Sequence, residues 1–469
     1  MQFNHHSFEK QGEQMTVPRL WQRMMLYCLL GSCLFPASRV LAGDYDNLKD
    51  LMLEKGQITI DEWVELKAEE ERRETKALAE SRSVGDTPVK AKWYEKFNIR
   101  GYAQVRWNRL GQPNGKLDSN QGDKSIGANK GFFLRRARLI FSGQPHDRIF
   151  IYIQPDFAST VGGSGNVVQL RDWYADLFLT DNKEWRIRAG QSKVPYGFEN
   201  EQSSQNRLAL DRNDALNSAV SNERDLGFFL YYTPSDIRAR FRHLVESGLK
   251  GSGDYGMFGL GVYNGQTANQ DERNDNKHFI VKFAYPHEFQ NGQILEGGVS
   301  AYTGKFFVSR AAIVPEGGGA AQTPGGPNNI RDKRFGAYFV LYPQPFGLQA
   351  EYTVGEGPQL NEARTEIEKH SLEGGYVQAM YNYRCEKYCL MVLPFVKWQY
   401  YNGGRKSEAN SPDQKVRELE LGIEYQFSQA LELVTSYSFT ERTSSASSGP
   451  DPYQVNYGNL IRFQLQWNY

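Results

Sequence analysis

The sequence predicts an all-β protein: a transmembrane antiparallel β-barrel of about 16 strands, preceded by a short N-terminal periplasmic helical segment. From about Lys92 to the C-terminus, apolar and polar residues alternate with a period of two, the pattern of a strand with two different faces. The segments are about 10 residues long, the length of a tilted strand that crosses a bilayer. No run of roughly 18 apolar residues follows position 42, which argues against membrane-spanning helices.

The composition excludes some classes of protein. The chain of 469 residues carries 55 Lys and Arg against 55 Asp and Glu, so it lacks the net basic charge of a nucleic-acid-binding protein. Its mean hydropathy is −0.62, as polar as a soluble protein. A transmembrane barrel has the same average, because only every second strand residue meets lipid.

Residues 1–42 resemble an export signal. Arg19 and Arg23 precede about 12 apolar residues, and Val-Leu-Ala then supplies the small residues that a signal peptidase reads. Translation that begins at Met15 is one alternative, and a lipoprotein signal that ends at Cys33 is another. In each case we expect the mature chain to act outside the cytoplasm.

Residues 43–92 predict a periplasmic helical hairpin followed by a polar linker. Thr59 and Glu62 have the spacing of a capping box, and Ile58 and Trp63 lie where a hydrophobic staple would pack. The segment is a candidate for trimer assembly, for contact with the cell wall, or for docking a periplasmic partner. A solvated tether without a partner is an equally good interpretation.

Residues 93–469 predict the barrel itself. Asn98–Trp107 places apolar or small side chains on one face and polar side chains on the other, and Ile461–Tyr469 repeats the pattern. Long connections, such as 356–370 and 402–415, alternate with short ones, as they do in outer-membrane barrels. One connection departs from this rule, because 234–254 is long yet falls on the side of the short turns. It is either a periplasmic insertion or an undetected hairpin.

Two cysteines follow the export signal. Cys385 and Cys389 could face each other across a tight turn and form a disulfide in an oxidising compartment, or remain two free thiols. Their spacing fits neither haem attachment nor a zinc site. We also find no GxSxG string and no glycine-rich phosphate loop. The sequence therefore predicts no catalytic residue, no metal site and no cofactor.

Six strings in order resemble the phosphate-selective porin (O/P) family, and weaker similarity continues to the C-terminus, so that the resemblance covers roughly 95–469. The strings are IRGYAQVRW (99–107), FFLRRARLIFSG (132–143), LRDWYADLFL (170–179), IRAGQSKVPYGFE (187–199), ERDLGFF (223–229) and YGMFGLGVYNG (255–265). The resemblance implies a homotrimer of sixteen-stranded barrels, embedded in outer-membrane lipid, that passes anions.

Alternation places a set of arginines on the face opposite to the apolar one. On the lipid face near the middle of the membrane each would cost about 2–4 kcal/mol, so we expect them to line a wet lumen. Their planar donors match phosphate or carboxylate oxygens. The predicted lining arginines are Arg100, Arg106, Arg136, Arg138, Arg186 and Arg188. Acids on the same face leave open that the arginines merely pair across the wall: Asp172, Asp176, Glu418, Glu420, Glu424 and Glu432.

The longest predicted loop, 194–225, carries Arg207 and Arg212. The family resemblance places this loop inside the barrel and makes Lys193 a candidate for the pore constriction, although Lys193 could instead form a salt bridge at the loop base. The predicted function is passive diffusion of small, phosphate-like anions. The alternatives are a general porin of weak selectivity and an outer-membrane scaffold that docks a periplasmic protein.

Overall fold

The computed structural model describes residues 93–111, 131–161, 164–385, 387, 389–445, 453 and 455–469, with isolated positions 52, 58, 62–64, 66, 67 and 69. The predicted signal peptide, 1–42, lies outside the described residues, and so does most of the predicted segment 43–92. Within that segment, positions 62–64 are helical, and the side chains of Trp63 and Val64 are buried.

Sixteen strands form the barrel, and the two-residue piece Tyr383–Arg384 adds to the pairing at the end of the twelfth. The strands are β1 (Phe97–Leu110), β2 (Phe132–His146), β3 (Ile149–Val161), β4 (Ser164–Phe178), β5 (Trp185–Lys193), β6 (Arg224–Tyr232), β7 (Phe258–Tyr263), β8 (His278–Glu288), β9 (Ile294–Phe307), β10 (Asn329–Leu341), β11 (Phe346–Leu360), β12 (Ile367–Tyr381), β13 (Met391–Gly404), β14 (Asp413–Ser428), β15 (Leu431–Ser444) and β16 (Asn456–Asn468).

The sheet closes on itself, which confirms the predicted barrel. Every strand pairs antiparallel with its neighbours in sequence, and β1 also pairs with β16, so that Tyr102 lies opposite Asn468. The Gly101 amide donates to the Tyr469 carbonyl at 2.6 Å and extends this last pairing to the C-terminus. Closure leaves no strand edge facing lipid. The backbone N–H and C=O groups of the strands therefore find hydrogen-bond partners that the hydrocarbon of a bilayer cannot supply.

Side chains alternate between the two faces of the wall, as strand β8 shows. Phe279, Val281 and Phe283 are exposed on the outside, whereas Ile280 and Lys282 between them are buried on the inside. Apolar side chains can contact lipid without a free-energy cost, whereas charged side chains would be destabilised there. The alternation therefore fixes which face is inward. The predicted polar lumen follows from the same pattern.

Some connections are shorter than the sequence suggests. The predicted loops 356–370 and 402–415 shrink to 361–366 and 405–412, because the neighbouring strands continue further. These strand ends carry polar residues on both faces, so their alternation is lost from the sequence although their pairing continues.

Three helices of the described chain lie in two connections. Loop L3, residues 194–223 between β5 and β6, holds α1 (Phe198–Glu201) and α2 (Asp214–Ala219). The connector, residues 233–257 between β6 and β7, holds α3 (Ser235–Glu246). The anomalous segment 234–254 is therefore one helical insertion without a further hairpin. No helix among the described residues is both long enough and apolar enough to span a membrane.

The turn between β12 and β13 contains a disulfide. The structure joins Cys385 to Cys389, with Cα atoms 5.4 Å apart. The Cys385 amide donates to the Leu390 carbonyl at 3.1 Å, so that the bridge and a backbone bond close the same turn.

Candidate functional site

Loop L3 turns into the barrel directly after β5. Gly197 has a φ of 78°, and a Cβ added there would lie 2.1 Å from Glu351 Oε1 on the wall, so only glycine fits this approach. The Tyr196 hydroxyl donates to Thr353 Oγ1 at 3.2 Å. The loop therefore reaches β11, well across the sheet from the strand it leaves.

Apolar side chains of L3 pack against the inner wall on both sides of the lumen. Val194, Tyr196 and Leu216 lie in one buried cluster with Phe229 of β6 and Tyr302 of β9. A second buried cluster joins the Leu208–Leu210 stretch to three strands elsewhere in the sheet, through Met380, Met391, Leu393, Phe395 and Val434. L3 thus spans the lumen.

The acids of L3 meet cations of the wall. The Lys282 ammonium donates to both carboxylate oxygens of Glu201, Oε1 at 2.7 Å and Oε2 at 2.6 Å. The other pairs are Glu199 with Lys397, Asp211 with Arg106 and Arg462, and Asp214 with Arg442 and Arg405. Both partners of each pair are buried, so loss of one leaves an uncompensated charge. These pairs fix where the loop lies.

Burial and neighbouring charges act differently on two L3 carboxyl groups. Burial raises the pKa of Glu201 to about 7, although Lys282 opposes the shift. Burial alone would also raise the pKa of Glu223, but Arg224 and the nearby Lys193 outweigh it and hold that pKa well below its usual range. Glu223 is therefore ionised and offsets part of the positive charge around it.

Two predicted lining arginines pair with acids on neighbouring strands. Arg188 donates to both carboxylate oxygens of Asp176, at 2.7 and 2.9 Å, and lies over the Tyr174 ring. Arg138 donates to Asp156 Oδ2 at 2.8 Å and to the Tyr102 hydroxyl at 2.8 Å. Arg188 and Arg138 therefore pair with acids across the wall, which is the alternative that the sequence left open.

Two others pair with acids that connections bring in. Arg106 donates to Asp211 of L3 at 3.2 Å and to Gln464 Oε1 at 2.8 Å. Arg186 donates to Asp254 of the connector at 2.8 Å. Arg100 differs from all of these, because it lies at the start of β1 and is exposed. It is therefore placed at the end of the barrel where the short turns lie, which we call the turn end, and not beside L3.

Arg136 and Arg207 retain unused donors, and we call these two residues the arginine pair. Arg136 is 4% exposed; its Nη1 donates to the neutral Gln104 Oε1 at 2.8 Å, and its Nε has no partner. Arg207 is 5% exposed, contacts Glu223 at 3.3 Å, and leaves Nε and Nη1 without partners. Three further guanidinium groups lie near Arg136: those of Arg135, Arg138 and Arg207. Buried guanidinium donors without an acceptor are suited to an anion.

Lys193 and Arg212 brace the loop. Lys193 Nζ donates to the carbonyls of Glu201 and Gln202, at 3.1 and 2.7 Å. Arg212 Nη1 donates to Asn200 Oδ1 at 2.6 Å. Lys193 therefore lies at the base of L3 and holds the loop through backbone carbonyls.

Sequence reasoning missed several inward cations on later strands. Lys282, Lys397 and Arg442 each pair with an acid of L3. The same two-residue alternation would have found Lys282 and Lys397, which lie between outward apolar residues, whereas Arg442 lies between Glu441 and Thr443. Their acidic partners could not have been found in this way, because L3 is irregular.

Among the described residues, no group of three or more His, Cys, Asp or Glu side chains could hold a metal ion. No curated protein matches the sequence significantly.

Three solved structures are similar to the chain, each with a TM-score below 0.5. The outer membrane channel DcaP of Acinetobacter baumannii is 13% identical with a TM-score of 0.47, over 80% of this chain and 97% of that one. OmpT of Vibrio cholerae in its trimer form is 10% identical, with a TM-score of 0.47 over 80% and 99%. Salmonella typhi OmpF in complex with daunomycin is 14% identical, with a TM-score of 0.45 over 80% and 97%.

A family comparison covers most of the barrel. The model for phosphate-selective porin O and P matches residues 110–469, which include β2 to β16 and the last residue of β1. Members of this kind are outer-membrane channels and not enzymes. Because the match spans well over half of the sequence, this chain belongs to the phosphate-selective porin O and P family.

Proposed function

We propose that this porin, assembled as a homotrimer as the family resemblance implies, is a channel for passive diffusion of small oxyanions, phosphate-like ones first. The arginine pair carries the proposal. Buried N–H donors that lack an acceptor gain hydrogen bonds when an oxyanion arrives, and a guanidinium can offer two at once. A solute that is attracted but shares its site with nearby acids can also leave, which conduction requires.

The surroundings of the arginine pair support the proposal. Asp156 is engaged by Arg138, and the single carboxylate of Glu223 is shared among Arg207, Arg212 and Arg224, so acids offset the nearby arginines only in part. Gln104, the cross-strand neighbour of Arg136, accepts one hydrogen bond without cancelling charge. The site is therefore positive although the whole chain is neutral.

Reversal potentials in planar bilayers under a salt gradient test the proposal. We expect anion preference, competition by inorganic phosphate, and loss of most of that preference in the Arg136→Gln/Arg207→Gln double variant. Arg331→Gln/Arg417→Gln is the matched control, since it also removes two positive charges, from side chains that are exposed on the outer face. Cation preference in the unaltered protein, or equal loss in the control, would contradict the proposal.

A general porin of weak selectivity is the second candidate, and lumenal acids favour it. Glu351 Oε1 and Glu420 Oε1 are buried without a hydrogen-bond partner, and Glu432 lies beside Glu424. These acids are on β11, β14 and β15, whereas Arg136 is on β2. A field across the lumen, basic on one wall and acidic on another, passes both signs of charge. Equal permeability to potassium and chloride would favour this candidate.

A further inference from the structure

The connector between β6 and β7 enters the barrel from the turn end. Its helix α3 buries Ile237, Phe241 and Leu244, which the spacing of four and three residues places on one face. These side chains form one cluster with inward residues of three strands and of L3: Ala284, Ile294, Tyr338, Val340 and Phe198. The apolar face of α3 therefore lies inside the lumen.

Arginines on α3 bind the rim of the barrel. Arg238 donates to the carbonyls of Asn182 and Lys183 in the β4–β5 turn. Arg240 donates to the Pro286 carbonyl at the end of β8, at 3.2 Å. Helix α3 is thus attached to the rim of the barrel at two places, the β4–β5 turn and the end of β8. Backbone carbonyl groups are the acceptors at both.

Two ion pairs fix the return of the connector to the wall. Asp254 accepts from Arg186 of β5 at 2.8 Å, and Lys250 donates to Glu424 of β14 at 2.5 Å. In a closed sheet of sixteen strands, β5 and β14 lie nearly opposite each other. The connector therefore crosses the lumen.

The connector also meets L3 within the barrel. Gln202 Nε2 donates to the Lys250 carbonyl at 2.7 Å, and Phe198 of α1 packs in the cluster of α3. Residue Trp63 of the N-terminal segment places its ring 5.0 Å from that of His243 on α3. The helix is held by contacts to the wall, to L3 and to the N-terminal segment.

We infer that the connector is a second constriction, on the periplasmic side, which sets the largest solute that can pass. The inference rests on the channel function of the family and is independent of the proposed anion preference. The arginine pair would select by charge, whereas the connector fills cross-section with a packed helix. Removing it should enlarge the pore without changing the sign of its selectivity.

The test replaces residues 235–252 with a short Asn-Gly turn. We expect the single-channel conductance to rise about twofold or more, because ion flow follows the open cross-section. Liposome swelling should then extend to larger neutral sugars that the unaltered protein excludes. Neutral sugars keep this readout apart from anion preference, which the reversal potential measures in the same preparations.

Leu244→Ala is a second variant that keeps the chain length. It should loosen the helix and increase current noise or sugar uptake, whereas Gln290→Ala, at an exposed position in the β8–β9 turn, should do neither. A folded deletion variant with unchanged conductance and an unchanged sugar limit would overturn the inference. If the deletion variant does not fold, unchanged conductance, noise and sugar uptake in Leu244→Ala would overturn it.

Discussion

L3 and the connector both fold into the barrel, yet different forces hold them. L3 adds to its apolar contacts a series of acids that meet basic residues along its whole course, such as Glu201 with Lys282. The connector presents an apolar helical face to the lumen, and its ion pairs to the wall lie at its edges: Arg240 with Glu288, and the two pairs where it returns to the sheet. Charge pairing fixes the position of L3, which is irregular, whereas apolar packing holds the regular helix α3 of the connector in the lumen.

Helix length explains the difference. The helices of L3 have four and six residues, too few to form a stable apolar stripe, so the loop needs the wall at many points. Helix α3 has 12 residues, enough for three turns and a continuous buried face. We therefore expect L3 to respond most to loss of a charge, and the connector to loss of apolar volume.

Asp211→Asn should give the largest effect. The change leaves Arg106 and Arg462 buried beside a neutral amide, and breaking such an ion pair costs about 3–5 kcal/mol. We expect noisier channel currents and stronger anion preference, because a negative charge is lost from the lumen. Asp181→Asn, in a turn where the carboxylate is 82% exposed, is the control and should change neither. Quiet currents in Asp211→Asn would break the contrast between the two segments.

Phe241→Ala should have a somewhat smaller effect, confined to the connector. Removing a buried phenyl group costs about 3 kcal/mol, towards the lower end for such truncations because α3 retains its rim contacts. We expect faster proteolysis within 233–257 in detergent, measured by mass spectrometry of the fragments, while cleavage in L3 stays slow. Equal acceleration in both segments would show that they unfold as one unit.

Replacing Cys385 and Cys389 together by serine should have the smallest effect. A disulfide stabilises the fold by lowering the entropy of the unfolded chain, and for so short a loop this contributes only about 2 kcal/mol to the free energy of unfolding. We expect a slightly lower unfolding temperature in detergent and unchanged conductance. Met391, next to this turn, lies close to Gly248 of the connector. A rise in conductance would therefore show that the turn supports the connector.

Alternation predicted the strands because burial of one face and lipid contact of the other act residue by residue. It also placed Arg106, Arg136 and Arg188 on the inner face before any contact was known. It could not place L3 or α3, since their partners are distant in sequence: Asp211 and Arg462 are 251 residues apart. The helical nature of 234–254 escaped for a similar reason, because its apolar face is explained only by the lumen that it fills.

The sequence by itself determined that the chain forms a closed barrel with basic residues inside, since period-two hydrophobicity and the cost of charge in lipid leave no other arrangement. It did not distinguish one inward arginine from another. Strand register decided that: Arg188 lies opposite Asp176 and is neutralised, whereas Arg136 lies opposite Gln104 and keeps its charge uncompensated. Electrostatic interactions depend on distances between strands, and the tertiary structure alone sets those distances.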